Sequence, residues 1–130
     1  MNRTKNPFLE YDEITRPIYG LVSLHPKALY LITKDEIALK MIGKEVEEKY
    51  VELLSIAIQS DSKEEAFEKV LNAINGELDF YAESLQYAKE IYTNSASTTE
   101  KADALRNIDV CRAMQVLLTL LKEKEEYAKE

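Results

Sequence analysis

The sequence is poor in the residue types that build disulfide-bonded and metal-bound cores. Its 130 residues include one cysteine, one histidine and no tryptophan. A single cysteine cannot form an internal disulfide. A single histidine cannot supply the paired Glu-x-x-His motifs of di-iron bundles. One cysteine and one histidine together cannot build a Cys/His zinc site. We therefore predict a cytoplasmic protein that carries no cofactor.

The lone histidine and the lone cysteine both have structural explanations. His25 precedes Pro26, and proline is favoured at the first position of a helix, so the histidine is expected in a helix-entry loop. Cys111 lies within an apolar stretch, where a free cysteine usually behaves as a small hydrophobic residue. Neither residue is predicted to be catalytic.

Long apolar runs are also missing. No stretch approaches the ~18 consecutive apolar residues that span a bilayer, and no apolar core of a signal peptide follows the polar N-terminus. The apolar fraction of 45% and the charged fraction of 32% are typical of a folded globular protein. We expect one domain over residues 1–130, with residues 1–9 as a flexible arm and no contact with a membrane.

The negative charge is confined to the second part of the chain. The net charge is −7, but residues 1–50 contain equal numbers of basic and acidic side chains. An acidic surface repels the phosphates of nucleic acids, so only the first part is suited to a polyanion. Lysine outnumbers arginine thirteen to four, which disfavours sequence-specific base recognition.

Apolar residues recur at intervals of three and four, which predicts three long helices over 34–59, 63–92 and 98–127. Each start has the spacing of a capping box, with Thr33, Ser62 and Ser97 as the capping residues. Residues 10–24 are interrupted by Pro17 and Gly20 and are predicted to add a short helical segment. The fold class is therefore all-α, an antiparallel bundle of three long helices plus a short N-terminal helical segment.

The most apolar stretch, residues 110–121, lies in the last helix. Its apolar residues cover more than half of the helix surface, whereas a surface helix needs an arc of only ~100°. Such an arc must contact more than one neighbour. Either the N-terminal segment covers what the other helices leave open, or a second chain does.

The favoured hypothesis is a non-enzymatic assembly subunit that associates with itself or docks into a larger complex. Eight tyrosines support it, because tyrosine is enriched at protein interfaces. The candidate interface residues are Tyr87, Val110, Met114, Leu117 and Leu121.

An alternative is a subunit that binds the nucleic-acid backbone inside a nucleoprotein complex, in the style of the small helical subunits of CRISPR effectors. Lys40 and Lys44 lie one helical turn apart, and each phosphate that a basic residue neutralises adds salt-dependent affinity. A further alternative is an acidic inhibitor that mimics nucleic acid. The candidate nucleic-acid contacts are Arg3, Lys5, Arg16, Lys27, Lys34, Lys40 and Lys44.

A last alternative comes from two acidic motifs. Glu45-x-x-Glu48 and Glu65-x-x-Glu68 resemble the paired motifs of the MazG-type all-α nucleotide pyrophosphatases. That resemblance implies a Mg²⁺ ion held between two helices and hydrolysis of a nucleotide. The sequence departs from the family at Glu68, where the family pattern has aspartate.

Overall fold

Three long α-helices make up most of the structure, a computed structural model that describes residues 16–18, 20 and 33–129. Helix α1 spans Glu36–Gln59, α2 spans Lys63–Asn94 and α3 spans Thr98–Lys129. Residues 16–18 and 20 are also helical, and the described part of the chain contains no strand. The predicted all-α bundle is confirmed. The predicted arm over residues 1–9, and the helix entry at His25 and Pro26, lie outside the described residues.

Each long helix begins at a side chain that accepts hydrogen bonds from the first turn. The hydroxyl groups of Ser62 and Ser97 accept the backbone N–H groups of Glu65, at 3.1 Å, and Glu100, at 3.3 Å. These two predicted caps are confirmed. Short connections then place consecutive helices antiparallel to each other.

The start of α1 differs from the prediction. Asp35 caps this helix, because its carboxylate accepts the N–H groups of Ile37 at 2.9 Å and Ala38 at 3.4 Å. Thr33, the predicted cap, instead accepts the N–H of Asp35 at 3.1 Å. The helix starts later than predicted because aspartate is the stronger capping residue of the two.

One hydrophobic core joins all three helices and the N-terminal helical segment. Ile18 is fully buried in this core, and Gly20 and Arg16 lie beside the C-terminal part of α3. Helices α2 and α3 pack against each other more extensively than either packs against α1. The buried residues of the core are Ile18, Ile42, Val46, Leu53, Ala57, Ala66, Phe67, Val70, Ile74, Tyr81, Val110, Cys111, Ala113, Met114, Leu117, Leu118 and Leu121.

Most of the wide apolar arc of α3 is therefore covered from within the chain, although Val116 and Leu120 stay exposed. Four of the five candidate interface residues are buried in the core, which corrects their assignment to a partner surface: Val110, Met114, Leu117 and Leu121. They are inaccessible because α1, α2 and Ile18 share one core with α3. Tyr87, the fifth, is 67% exposed.

The apolar residues that recur at intervals of three and four along α2 are only half buried. Phe67, Ile74, Tyr81 and Ala88 are buried, whereas the residues that alternate with them, Leu71, Leu78, Leu85 and Tyr92, are partly or largely exposed. The buried face also includes Ala66 and Val70, so it is rotated away from the centre of this row of apolar residues.

A candidate binding groove

A groove of about 790 Å³ opens between the three helices, at the end of the bundle where α1 and α3 begin. Each helix contributes one wall. The lining residues are Met41, Lys44, Glu45, Glu48, Phe80, Tyr81, Glu83, Ser84, Tyr87, Ala88, Ile91, Glu100, Asp103, Ala104, Asn107, Val110 and Cys111.

Polar contacts between helices fix the place where the groove begins. The Lys49 ammonium lies 3.0 Å from the Glu77 carboxylate, and burial alone would lower the pKa of Lys49. The hydrogen bond to Glu77 and the charges of Glu77 and Glu52 outweigh burial and raise that pKa. One turn further along, the Tyr81 hydroxyl donates to Glu45. Glu45 lies four residues before Lys49, and Tyr81 lies four residues after Glu77, as expected for two antiparallel helices.

Beyond Glu45, the start of α1 is bound to α3 instead of α2. The Arg106 Nε donates to Asp35 at 3.0 Å, and Arg106 also contacts Asp103 at 3.4 Å. This arginine and the backbone N–H groups of the α1 cap lower the pKa of Asp35, and the arginine is the largest cause. The groove lies between this start of α1, residues 80–91 of α2 and the first turns of α3.

The floor of the groove is uncharged at Tyr81 and Cys111. Burial, and then the Glu45 carboxylate, raise the pKa of the Tyr81 hydroxyl. The same two causes raise the pKa of the Cys111 thiol. Both groups therefore keep their protons at neutral pH. Since the thiolate is the nucleophilic form of cysteine, this environment does not activate Cys111.

The α2 wall presents aromatic rings to solvent. Phe80 is 56% exposed and Tyr87 is 67% exposed, although both have large apolar surfaces. The Phe80 ring meets the Tyr81 ring edge to face, with 5.3 Å between the centroids. Phe80, Tyr87 and Ile91 recur at intervals of seven and four, so they follow one face of the helix into the groove.

Carboxylates surround these rings on all three helices. Among the described residues, five carboxylates and one ammonium group, that of Lys44, line the groove. The five carboxylates belong to Glu45, Glu48, Glu83, Glu100 and Asp103. Glu45 is hydrogen bonded to Tyr81, and Asp103 contacts Arg106. No described residue forms an ion pair with the other three. The groove is thus both aromatic and strongly acidic.

The candidate nucleic-acid contacts do not share one face. Lys34, Lys40 and Lys44 are exposed near the start of α1, and Lys44 lines the acidic groove. Arg16 lies beside Lys124, at the opposite end of the bundle. The other three candidates, Arg3, Lys5 and Lys27, lie outside the described residues.

The fold separates the two acidic motifs. Glu45 lies across from Tyr81 on α2, whereas Glu65 lies in the first turn of that helix. Sixteen residues of α-helix span roughly 24 Å, so the two motifs cannot share one metal ion. Within residues 33–129 and the short segment before them, no three acidic, histidine or cysteine side chains are grouped to hold a metal.

A buried carboxylate at the other end of the bundle was not predicted. Glu125 is fully buried, and neither of its oxygen atoms has a hydrogen-bond partner among the described residues. Burial raises the pKa of Glu125 to about 8. The sequence does contain a signal for this position. Glu125 follows Leu118 by seven residues and Leu121 by four, so the buried stripe of α3 continues through it.

None of the described helices has the length and apolar character needed to cross a membrane. Comparisons of the chain with protein-family models, with curated proteins and with solved structures give no match.

Proposed function

We propose that this protein is a non-enzymatic interaction subunit that binds a segment of another protein in the groove. The observation that carries the proposal is the exposure of Phe80 and Tyr87 on the wall of an open groove. Exposed apolar surface that lines a concave site favours a binding role, and aromatic residues are enriched in interfaces.

The spacing of the rings fits a helical partner. Phe80 and Tyr87 are seven residues apart, which corresponds to two turns or roughly 10 Å. Amphipathic helices that bind in grooves present anchors at intervals of three, four and seven residues. A partner helix can thus contact both rings with one apolar face.

A second copy of the same chain fits the groove less well. In a symmetric dimer each groove would meet the same groove of the other copy. The Glu48, Glu83 and Glu100 carboxylates of one copy would then face those of the other. Like charges across an interface are unfavourable, so we propose a different protein as the partner.

The other hypotheses receive less support. Binding to a nucleic-acid backbone would use Lys40 and Lys44, but Lys44 lies among five carboxylates of the groove. Hydrolysis of a nucleotide would require the two acidic motifs to meet. Along the helix axis, Glu45 and Glu65 are about 24 Å apart, and Glu48 and Glu68 are about 15 Å apart.

An uncharged amphipathic peptide tests the proposal directly. The probe is a helical peptide with leucine on one face and glutamine on the other, added to ¹⁵N-labelled protein. We expect chemical-shift changes around residues 80–91 of α2 and 41–48 of α1. The double variant Phe80→Ser and Tyr87→Ser removes the apolar anchors and should weaken binding by about tenfold or more.

The matched control changes exposed apolar residues elsewhere. Val116 is 44% exposed and Leu120 is 39% exposed, and both lie on α3 outside the groove. The double variant Val116→Ser and Leu120→Ser should bind the peptide as the original protein does. Peptide contacts mapped to α3 around these two residues, or equal loss of affinity in both double variants, would contradict the proposal.

A further inference from the structure

We infer that the partner segment is cationic: an amphipathic helix whose lysine or arginine side chains lie against the carboxylates around the groove. The inference rests on the proposed function and specifies the chemistry of the partner. Its basis is the combination of an aromatic wall with acidic side chains on every side of the same groove.

The acidic side chains are placed so that a bound helix meets them along both edges. Glu48 belongs to α1 and Glu83 to α2, on opposite walls. Glu100 and Asp103 belong to the first turns of α3, at the open end. A helix with its apolar face on Phe80 would carry its flanking side chains to these edges, since residues beside the apolar face point sideways.

The carboxylates have few partners inside the protein. No ion pair with a described residue involves Glu48, Glu83 or Glu100, and within the described part of the chain Lys44 is the one cation that lines the groove. A neutral or acidic helix would remove water from these carboxylates without replacing it, which is unfavourable. A lysine or arginine would replace it with a charge-assisted hydrogen bond.

The groove already resembles the sites in which aromatic rings and cations occur together. Arginine and lysine are attracted to the faces of aromatic rings as well as to carboxylates. Elsewhere in the molecule the Lys101 ammonium lies 5.7 Å from the centre of the Tyr92 ring. A cationic side chain that enters beside Phe80 or Tyr87 could contact a ring and a carboxylate together.

Three peptides of equal length test the inference. They share one leucine face and carry lysine, glutamine or glutamate on the other face. We expect the lysine peptide to bind about tenfold more tightly than the glutamine peptide, and the glutamate peptide to bind more weakly still. The preference for lysine should shrink at high salt, because the edge carboxylates are exposed.

Charge reversal locates the effect. The double variant Glu48→Lys and Glu83→Lys should remove the preference for the lysine peptide. The control, Glu123→Lys and Glu126→Lys, alters the net charge equally on exposed positions of α3 at the other end of the bundle. It should change the affinity for the lysine peptide by less than about twofold.

The possible outcomes separate the inference from the proposed function. Equal binding of all three peptides in the groove would overturn the inference and leave the proposed function standing. Equal loss of lysine-peptide binding in both charge-reversed variants would also overturn the inference, since net charge alone would explain it. A single-stranded oligonucleotide that, added without peptide, shifts the amide signals of the groove would overturn both. So would the absence of any shift in the groove with all three peptides.

Discussion

The two ends of the bundle differ in the kind of side chain that is buried and the kind that is exposed. At the closed end, where Ile18 joins the core and α3 approaches its C-terminus, the carboxyl group of Glu125 is fully buried. At the groove end, where α1 and α3 begin, Phe80 and Tyr87 are mostly exposed. An ionisable carboxyl group is buried at one end, and aromatic residues face solvent at the other.

The difference shows that the neighbouring elements, more than residue type, decide burial here. The stripe of α3 continues through Glu125 in register with Leu121, so packing of the stripe buries whatever side chain occupies that position. On α2, the face that contains Phe80 and Tyr87 lies where α1 is bound to α3, and no described element covers it. The closed end buries Glu125 among packed helices, whereas the groove end leaves Phe80 and Tyr87 accessible to solvent.

The largest expected effect concerns Glu125 and pH. Its pKa is about 8 in the folded protein, against an ordinary value of 4.5. The folded state binds the proton of Glu125 more tightly than the unfolded state does, so protonation of Glu125 stabilises the fold. This contribution to stability is complete below pH 4.5 and is lost as the pH rises through about 8. The difference between the two pKa values corresponds to a loss on the order of 5 kcal/mol in the free energy of unfolding. Urea unfolding at pH 5, 7 and 9 measures it.

Glutamine substitution isolates this contribution. Glu125→Gln keeps the shape of the protonated side chain but cannot ionise, so the variant should be more stable than the original protein at pH 9 and should lose most of the pH dependence. Glu126→Gln changes an exposed carboxylate beside it and should keep the dependence. Identical pH profiles for the original protein and Glu125→Gln would refute the account of the closed end.

Truncation of a large side chain should cost more stability in the core than in the groove. Leu117 is fully buried, so Leu117→Ala should lower the free energy of unfolding by about 3 kcal/mol. Phe80 is 56% exposed, so Phe80→Ala should cost less than about 1 kcal/mol. Thermal or urea unfolding of both variants checks the contrast. Similar losses in the free energy of unfolding would show that Phe80 contributes to the stability of the fold, which would contradict its assignment to a binding surface.

The contact at the floor of the groove should have an intermediate effect. Tyr81→Phe removes the hydroxyl that donates to Glu45 and leaves this half-buried carboxylate without its partner. We expect a loss of about 1–2 kcal/mol, measured by urea unfolding. Tyr87→Phe is the control, since Tyr87 is exposed, and it should leave stability unchanged. No difference between the two variants would contradict the assigned contact.

The smallest effect is a gain of stability at Gly76. A Cβ atom at this position would meet nothing within 4 Å apart from the backbone of its own helix. Gly76→Ala should therefore raise the free energy of unfolding by roughly 0.5–1 kcal/mol, because alanine loses less backbone entropy in a helix. Destabilisation would indicate that the helix needs glycine at this point.

The helices and most of the core could be predicted from the sequence, because both depend on local periodicity and capping. The spacing of Ser62 and Ser97 from their glutamates identified two helix starts that the structure confirms. Most apolar residues of the stretch 110–121 in α3 are also buried. The start of α1 was missed because Asp35 and Thr33 compete for the same role.

The groove could not be predicted, because it depends on contacts between distant parts of the chain. The sequence does not show that Arg106 binds Asp35, 71 residues away, or that Tyr81 reaches Glu45. These contacts decide where α1 leaves α2. For the same reason four residues of the apolar stretch of α3 were named as interface candidates, although they are buried in the core shared with α1, α2 and Ile18.

The most direct test of the account asks which end of the bundle a partner helix occupies. A lysine–leucine amphipathic peptide with a nitroxide label would be added to ¹⁵N-labelled protein, and the broadening of each amide signal measured. We predict strong broadening around residues 80–91 and 41–48, at the groove, with sharp signals around residues 118–126. Broadening centred on residues 118–126, or spread evenly over the three helices, would contradict the assignment of binding to the groove end.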